Sequence, residues 1–152
     1  MLDNEKINSI QESQENGRAL RKQVPRGSHG IWKPAPSRTD PIKLLQEHDK
    51  NHLENLLPIK YGRMLVSPFS FMRGAAAVMA ADLAGTPISG LQTQLCGDAH
   101  LLNSGIFATP ERKLVFDIND FDETYPGPRE WDLKRLATSA VLTGREKDLL
   151  TI

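Results

Sequence analysis

Disulfide chemistry, membrane insertion and a broad polyanion-binding surface are each excluded by something this sequence has little of. Cys96 is its one cysteine, so no intramolecular bridge can form and a disulfide-stapled secreted module is ruled out. One cysteine and four scattered histidines give no zinc-ligand spacing. Cys96 reads instead as a small buried hydrophobe. No run of about 18 apolar residues occurs, so no segment reads as a membrane-spanning helix. Residues 1–16 are polar and rich in Glu, Gln, Asn and Ser, without the apolar core of a signal peptide, and a cytoplasmic location is expected. An excess of either charge is also missing. Nineteen basic residues meet nineteen acidic ones, which argues against a nucleic-acid-binding face. A local phosphate site needs only a few positioned donors and stays open, although no glycine-rich phosphate loop of either standard form is present.

The 152 residues suffice for one ordinary domain. Residues 1–40 read as a flexible N-terminal arm, punctuated by Pro34 and Pro36, with Trp32 as the one large apolar anchor to the body. Residues 41–152 read as the core. Asp40-Pro41 is a helix start, and Ile42, Leu45, Leu53, Leu56 and Leu57 make an apolar stripe up to Pro58. Lys43, Glu47, Asp49, Lys50 and Glu54 form its expected wet face. Ser67-Pro68 starts a second helix, alanine-rich and apolar nearly all round, which is expected to run buried as far as Gly85. Residues 91–96 alternate as a strand. Residues 105–108 and 113–118 read as a hairpin around Thr109-Pro110-Glu111-Arg112. Pro126-Gly127-Pro128 is expected to break the chain, and a helix follows from Glu130 with Gly144 as its stop. The class is α+β. Because the sequence ends at Ile152, soon after that helix, it reads as a domain interrupted.

The chemistry concentrates between Gly97 and Asp132. Gly97-Asp98-Ala99-His100-Leu101-Leu102-Asn103 is followed by Asn119-Asp120-Phe121-Asp122-Glu123 and Trp131-Asp132-Leu133. Several of these acids neighbour apolar residues, and a buried carboxylate is costly unless a cation or hydrogen-bond donors compensate. A divalent metal with a polyphosphate at the ends of short strands would explain them. Asp98 and Asn103 sit in a loop leaving one strand and Asp120 at the end of another, so neighbouring strands would make all three converge. A pair of Asx turns is the plainer alternative.

These residues carry a resemblance. Gly97-Asp98-x-His100-x-x-Asn103 is similar to the catalytic loop of aminoglycoside and choline kinase-like phosphotransferases, and Asn119-Asp120-Phe121-Asp122-Glu123 to their metal-binding strand end. More closely, residues 17–145 resemble the bacterial family called domain of unknown function 2252. The matching stretches are Gly17-Arg18-Ala19-Leu20-Arg21-Lys22, Tyr61-Gly62-Arg63-Met64, Pro68-Phe69-Ser70-Phe71-Met72-Arg73-Gly74, Cys96-Gly97-Asp98-Ala99-His100-Leu101-Leu102-Asn103 and residues 119–135. The resemblance implies a protein-kinase-like fold lacking most of its C-terminal helical part. It also implies magnesium and ATP as cofactors, with a nucleotide and a small-molecule acceptor as partners. Asp98 would orient or deprotonate the acceptor hydroxyl, with His100 holding the loop. Asn103 and Asp120 would hold the metal, with Asp122 competing for the role of Asp120. Lys60, Arg63 and Arg73 are the candidates for the phosphates. Asp132 is expected to cap the last helix or tie the loop to it, and Arg135 to lie on a polar helix face or pair with an acid of the cluster. The activity expected is Mg-ATP-dependent phosphoryl transfer, in this chain or in a longer protein of which it is a fragment. Two rivals remain: a metal-dependent phosphoesterase, since Gly-Asp-x-His also occurs in two-metal hydrolases, and a non-catalytic nucleotide-binding or assembly module. The sequence carries no signal for an oligomeric state.

Overall fold

Residue types at a few chain positions divide the sequence into helices and two two-stranded antiparallel sheets. The computed structural model describes residues 9–149, and the statements about structure below concern those. Ser9 begins α1 (Ile10–Gln23) with a reciprocal capping box to Glu12. This helix was not expected within the arm, and it buries none of its residues. The arm continues through a 3-10 turn, Arg26–Gly30, to Arg38. The Arg38 guanidinium makes a bidentate pair with Asp82, at 2.6 and 2.8 Å, and lies 5.7 Å from the centre of the Trp32 ring. Trp32 stays half exposed, so the fixed contact between arm and body is ionic, with the indole stacked on the cation.

Asp40 caps α2 (Pro41–Asp49) through Ile42 and Lys43 N–H groups, with Pro41 in the first turn. The helix stops at Asp49 rather than reaching Pro58, which instead opens α3 (Leu57–Met64). The apolar stripe ends with it. Leu45 is buried, whereas Ile42, Leu53 and Leu56 are exposed. Asp49, expected in solvent, is buried because Lys60 donates to one of its oxygens at 2.6 Å and Tyr61 to the other.

The alanine-rich segment forms two helices, α4 (Pro68–Gly74) and α5 (Ala76–Leu83). The break falls at Ala75, and the reason is a side chain from elsewhere. The Met72 carbonyl, which a continuous helix would pair with the N–H four residues on, accepts instead from Ala75 N–H at 3.2 Å and from Arg135 Nη2 at 2.8 Å. A guanidinium thus satisfies an orphan carbonyl at the C-terminus of α4. At the other end, Ser67 Oγ accepts from Ser70 N–H at 3.1 Å and Glu146 Oε1 from Phe69 N–H at 2.9 Å. Leu45, Met64, Ala75 and Val78 form the apolar core between α2, α3 and the two alanine-rich helices.

β1 (Gln92–Leu95) pairs antiparallel with β4 (Tyr125–Pro128), Gln92 opposite Pro128 and Leu95 opposite Tyr125. The Pro-Gly-Pro stretch is therefore a strand and not a break. A two-stranded sheet consists of edges alone, and an edge tolerates proline. β2 (Ser104–Ala108) and β3 (Leu114–Ile118) form the expected hairpin. α6 (Glu130–Glu146) closes the order, passing through Gly144, which is buried within it. The α+β class stands. Replacing Ser67 by Ala removes one of the two acceptors at the start of α4, and urea denaturation should show a loss of about 1 kcal/mol.

Candidate functional site

The loop after β1 turns on Gly97, whose φ is +88°. A Cβ at this position would lie 2.0 Å from the Glu123 carbonyl oxygen, so glycine is required on both conformational and steric grounds. Asp132, in the first turn of α6, holds the loop from behind. Its two carboxylate oxygens accept from Cys96 N–H at 2.7 Å and Gly97 N–H at 3.2 Å. Farther along α6, Ser139 is fully buried. Its hydroxyl accepts from Leu101 N–H at 3.1 Å and donates to the Leu136 carbonyl. Nothing in the sequence marks Ser139 for this task, since a serine inside a helix more often faces solvent.

Asp98 points back at the same helix. Its Oδ1 accepts from Arg135 Nε at 2.6 Å, and Arg135 Nη2 pairs with the same oxygen. Arg135 is 2% exposed and also reaches the Met72 carbonyl and, at 3.5 Å, Met79 Sδ. The other carboxylate oxygen of Asp98 lies 3.4 Å from His100 Nε2. His100 is buried, edge-on to Phe69 with ring centroids 6.1 Å apart, and its Nδ1 has no partner among the described residues. Burial pushes the His100 pKa below its ordinary 6.5; the positive charges of Arg73 and Arg135 push the same way, against Asp98 and Asp120. The imidazole is therefore neutral at pH 7.

Asn103 joins the two loops. Its buried amide nitrogen reaches the Asp98 carbonyl at 3.2 Å, the Asp120 carbonyl at 3.1 Å and Cys96 Sγ at 3.2 Å. Asn119 N–H donates to the Asn103 carbonyl at 3.1 Å. The main chains of Asp98 and Asp120 are thus pinned to one side chain. The Asp120 carboxylate is exposed and accepts from Asp122 N–H at 3.0 Å, an Asx turn as the plainer reading expected. Asp122 is exposed as well. Burial and the Asp132 charge push the Cys96 thiol up, so it stays protonated and inert.

The three cation candidates separate. Arg73, in the last turn of α4, is close enough to act electrostatically on His100. Lys60 is engaged with Asp49. Arg63 is exposed on α3, with no ion pair among the described residues. The His48, Asp49 and His52 group, with ligand atoms within 4.8 Å of one another, belongs to the end of α2, where His48 lines a cavity with Gly97, Asp132 and Arg135; Lys60 and Tyr61 already occupy both Asp49 oxygens. The gathered groups are therefore Asp98, His100, Asn103 and Asp120, with Arg73 and Arg135 as nearby cations. Asn103 Oδ1 and the Asp120 carboxylate are hard oxygen donors of the kind magnesium takes.

Two outcomes follow from this geometry. Asp98→Ala strands the buried Arg135 charge and should cost about 3 kcal/mol in chemical denaturation, while Asp98→Ala with Arg135→Met recovers part of that loss. Asp98 substitutions consequently test stability as well as chemistry. The second outcome concerns pH. Because the folded-state pKa of His100 lies below its unfolded value, the unfolded chain binds the proton first as pH falls. The stability from the neutral, buried imidazole is complete above pH 6.5 and declines below it. Denaturation between pH 7 and pH 5 should show this decline in the native chain and a flatter profile in His100→Gln.

No curated protein and no solved structure matches this chain. A family model does match, over residues 52–151, a span that holds the whole Asp98–Asn103–Asp120 cluster together with α3 to α6. That family is described as an uncharacterized protein conserved in bacteria, and on that match the chain belongs to the DUF2252 family.

Proposed function

We propose that this chain carries the nucleotide and metal site of a protein-kinase-like phosphotransferase, with a small-molecule hydroxyl as acceptor. The observation that supports this most is the double reach of Asn103 Nδ2 to the Asp98 and Asp120 carbonyls. Holding two loops by a single amide limits their relative movement, and phosphoryl transfer depends on positioning more than on covalent participation by the protein.

Within this reading, Asn103 Oδ1 and the Asp120 carboxylate would hold a magnesium ion, which would supply positive charge to the phosphate oxygens of bound ATP. Asp98 orients the acceptor hydroxyl through the oxygen that faces His100, because its other oxygen is committed to Arg135. That commitment favours an orienting role over proton abstraction. His100, neutral and packed against Phe69, holds the loop conformation. Arg73 is the preferred phosphate contact, as the candidate cation lying beside this cluster. A two-metal phosphoesterase would need further imidazoles here. Among the described residues, His48 and His52 lie around the C-terminus of α2 and His29 in the arm.

Asp120 offers the cleaner variant because its exposed carboxylate supports only a local turn. In calorimetric titrations the native chain should bind ATP in the presence of magnesium and at least tenfold more weakly without it. Asp120→Asn should bring the affinity with magnesium down to the metal-free level at unchanged melting temperature. Binding indifferent to magnesium, or to this substitution, overturns the assignment. Metal-dependent binding without any ADP release would leave a nucleotide-binding module in place of an enzyme.

A further inference from the structure

The two faces of α6 differ in chemistry. Asp132, Arg135 and Ser139 face the loop after β1, while Glu130, Leu133, Lys134 and Ala137, spaced on the opposite side of the helix, line an open cavity of about 510 Å³ whose other wall is the arm. That volume suits a small molecule. Its wall brings together Arg21 from α1, Arg26 and His29 from the following turn, and Arg129, Glu130 and Lys134 from the start of α6. Four permanent cations thus face one carboxylate.

That carboxylate forms a salt bridge with Arg129 alone among them. Glu130 Oε1 is occupied by the N–H and hydroxyl of Ser89 and lies 3.7 Å from Arg129 Nε. Lys134 donates to Thr86 Oγ1 at 2.7 Å and has no acidic partner within salt-bridge distance among the described residues. Its burial is already sufficient to push its pKa down, partly opposed by Glu130. Arg21 and Arg26 are exposed and form no ion pair there either. A partly desolvated cation without a counter-ion is costly, and clustered guanidinium groups match phosphate oxygens geometrically. Two polar atoms of the lining residues are buried without a partner among the described residues. Glu130, 5% exposed, has an unpartnered Oε2, and the sealed His29 Nδ1 is likewise without a partner.

We propose that this cavity between the arm and α6 binds a phosphate-bearing small molecule. Arg21, Arg26, Arg129 and Lys134 hold the phosphate oxygens. The site is separate from the Asp98–Asp120 cluster and does not depend on its assignment.

Inorganic pyrophosphate, titrated calorimetrically without magnesium at low ionic strength, is the probe. The native chain should give saturable one-to-one binding and a rise in melting temperature. Arg21→Ala with Arg26→Ala should weaken it at least tenfold. Both side chains are exposed and bound to nothing else described, so the fold should survive. A control pair on other elements, Lys43→Ala with Lys113→Ala, should leave the affinity within twofold, and Arg73→Ala likewise. Absence of saturable binding, or equal weakening by the control pair, overturns the proposal; loss with Arg73→Ala would move the anion to the other site and overturn it as well.

Discussion

One guanidinium organises this protein. Arg135 meets three elements at once: the Asp98 carboxylate in the loop after β1, the Met72 carbonyl in the last turn of α4, and a sulfur of α5. Buried ionic contacts gain little over well-packed apolar groups, yet losing one partner is expensive. That asymmetry makes Arg135 a constraint more than a source of stability. It sets where the alanine-rich segment must divide, it engages one oxygen of Asp98 and leaves the other toward His100, and it anchors both to α6.

The interior matches this role. Six polar or charged residues, Asp49, His100, Asn103, Glu130, Arg135 and Ser139, are buried beside nine apolar ones. Their partners are main-chain atoms and specific side chains such as Lys60, Tyr61, Ser89 and Asp98. Specific partners of this kind fix one arrangement where apolar contacts alone would tolerate several. The apolar core proper, around Leu45, Met64, Ala75 and Val78, lies to one side of the cluster. The β2–β3 hairpin, in contrast, shows Ile106, Leu114 and Phe116 to solvent.

Local signals in the sequence were read well where the physics is local. Asp40-Pro41 and Ser67-Pro68 start helices because a cap acts within one turn, and the β2–β3 hairpin follows from its own short turn. Reading failed where a distant group decides. The break at Ala75 needs Arg135, sixty residues away in sequence; the burial of Asp49 needs Lys60 and Tyr61; and Pro126-Gly127-Pro128 becomes a strand only because β1 lies alongside. In the candidate site, the spacing of Asp98 and Asn103 and the position of Asp120 pointed to one neighbourhood, and Asn103 does link their main chains. Ser139 and the free oxygen of Glu130 left no trace in the pattern, since a lone serine or glutamate on a helix looks the same facing water as facing inward.

The bare turn at Gly97 has a consequence for how this sequence can drift. Any codon change there that alters the residue adds a side-chain carbon, and that carbon would collide with the Glu123 carbonyl. The obstacle is backbone, which cannot rotate aside as a flexible side chain would. Tolerance at residue 97 would therefore require the segment around Glu123 to be rebuilt in the same step, so the two stretches can diverge only together.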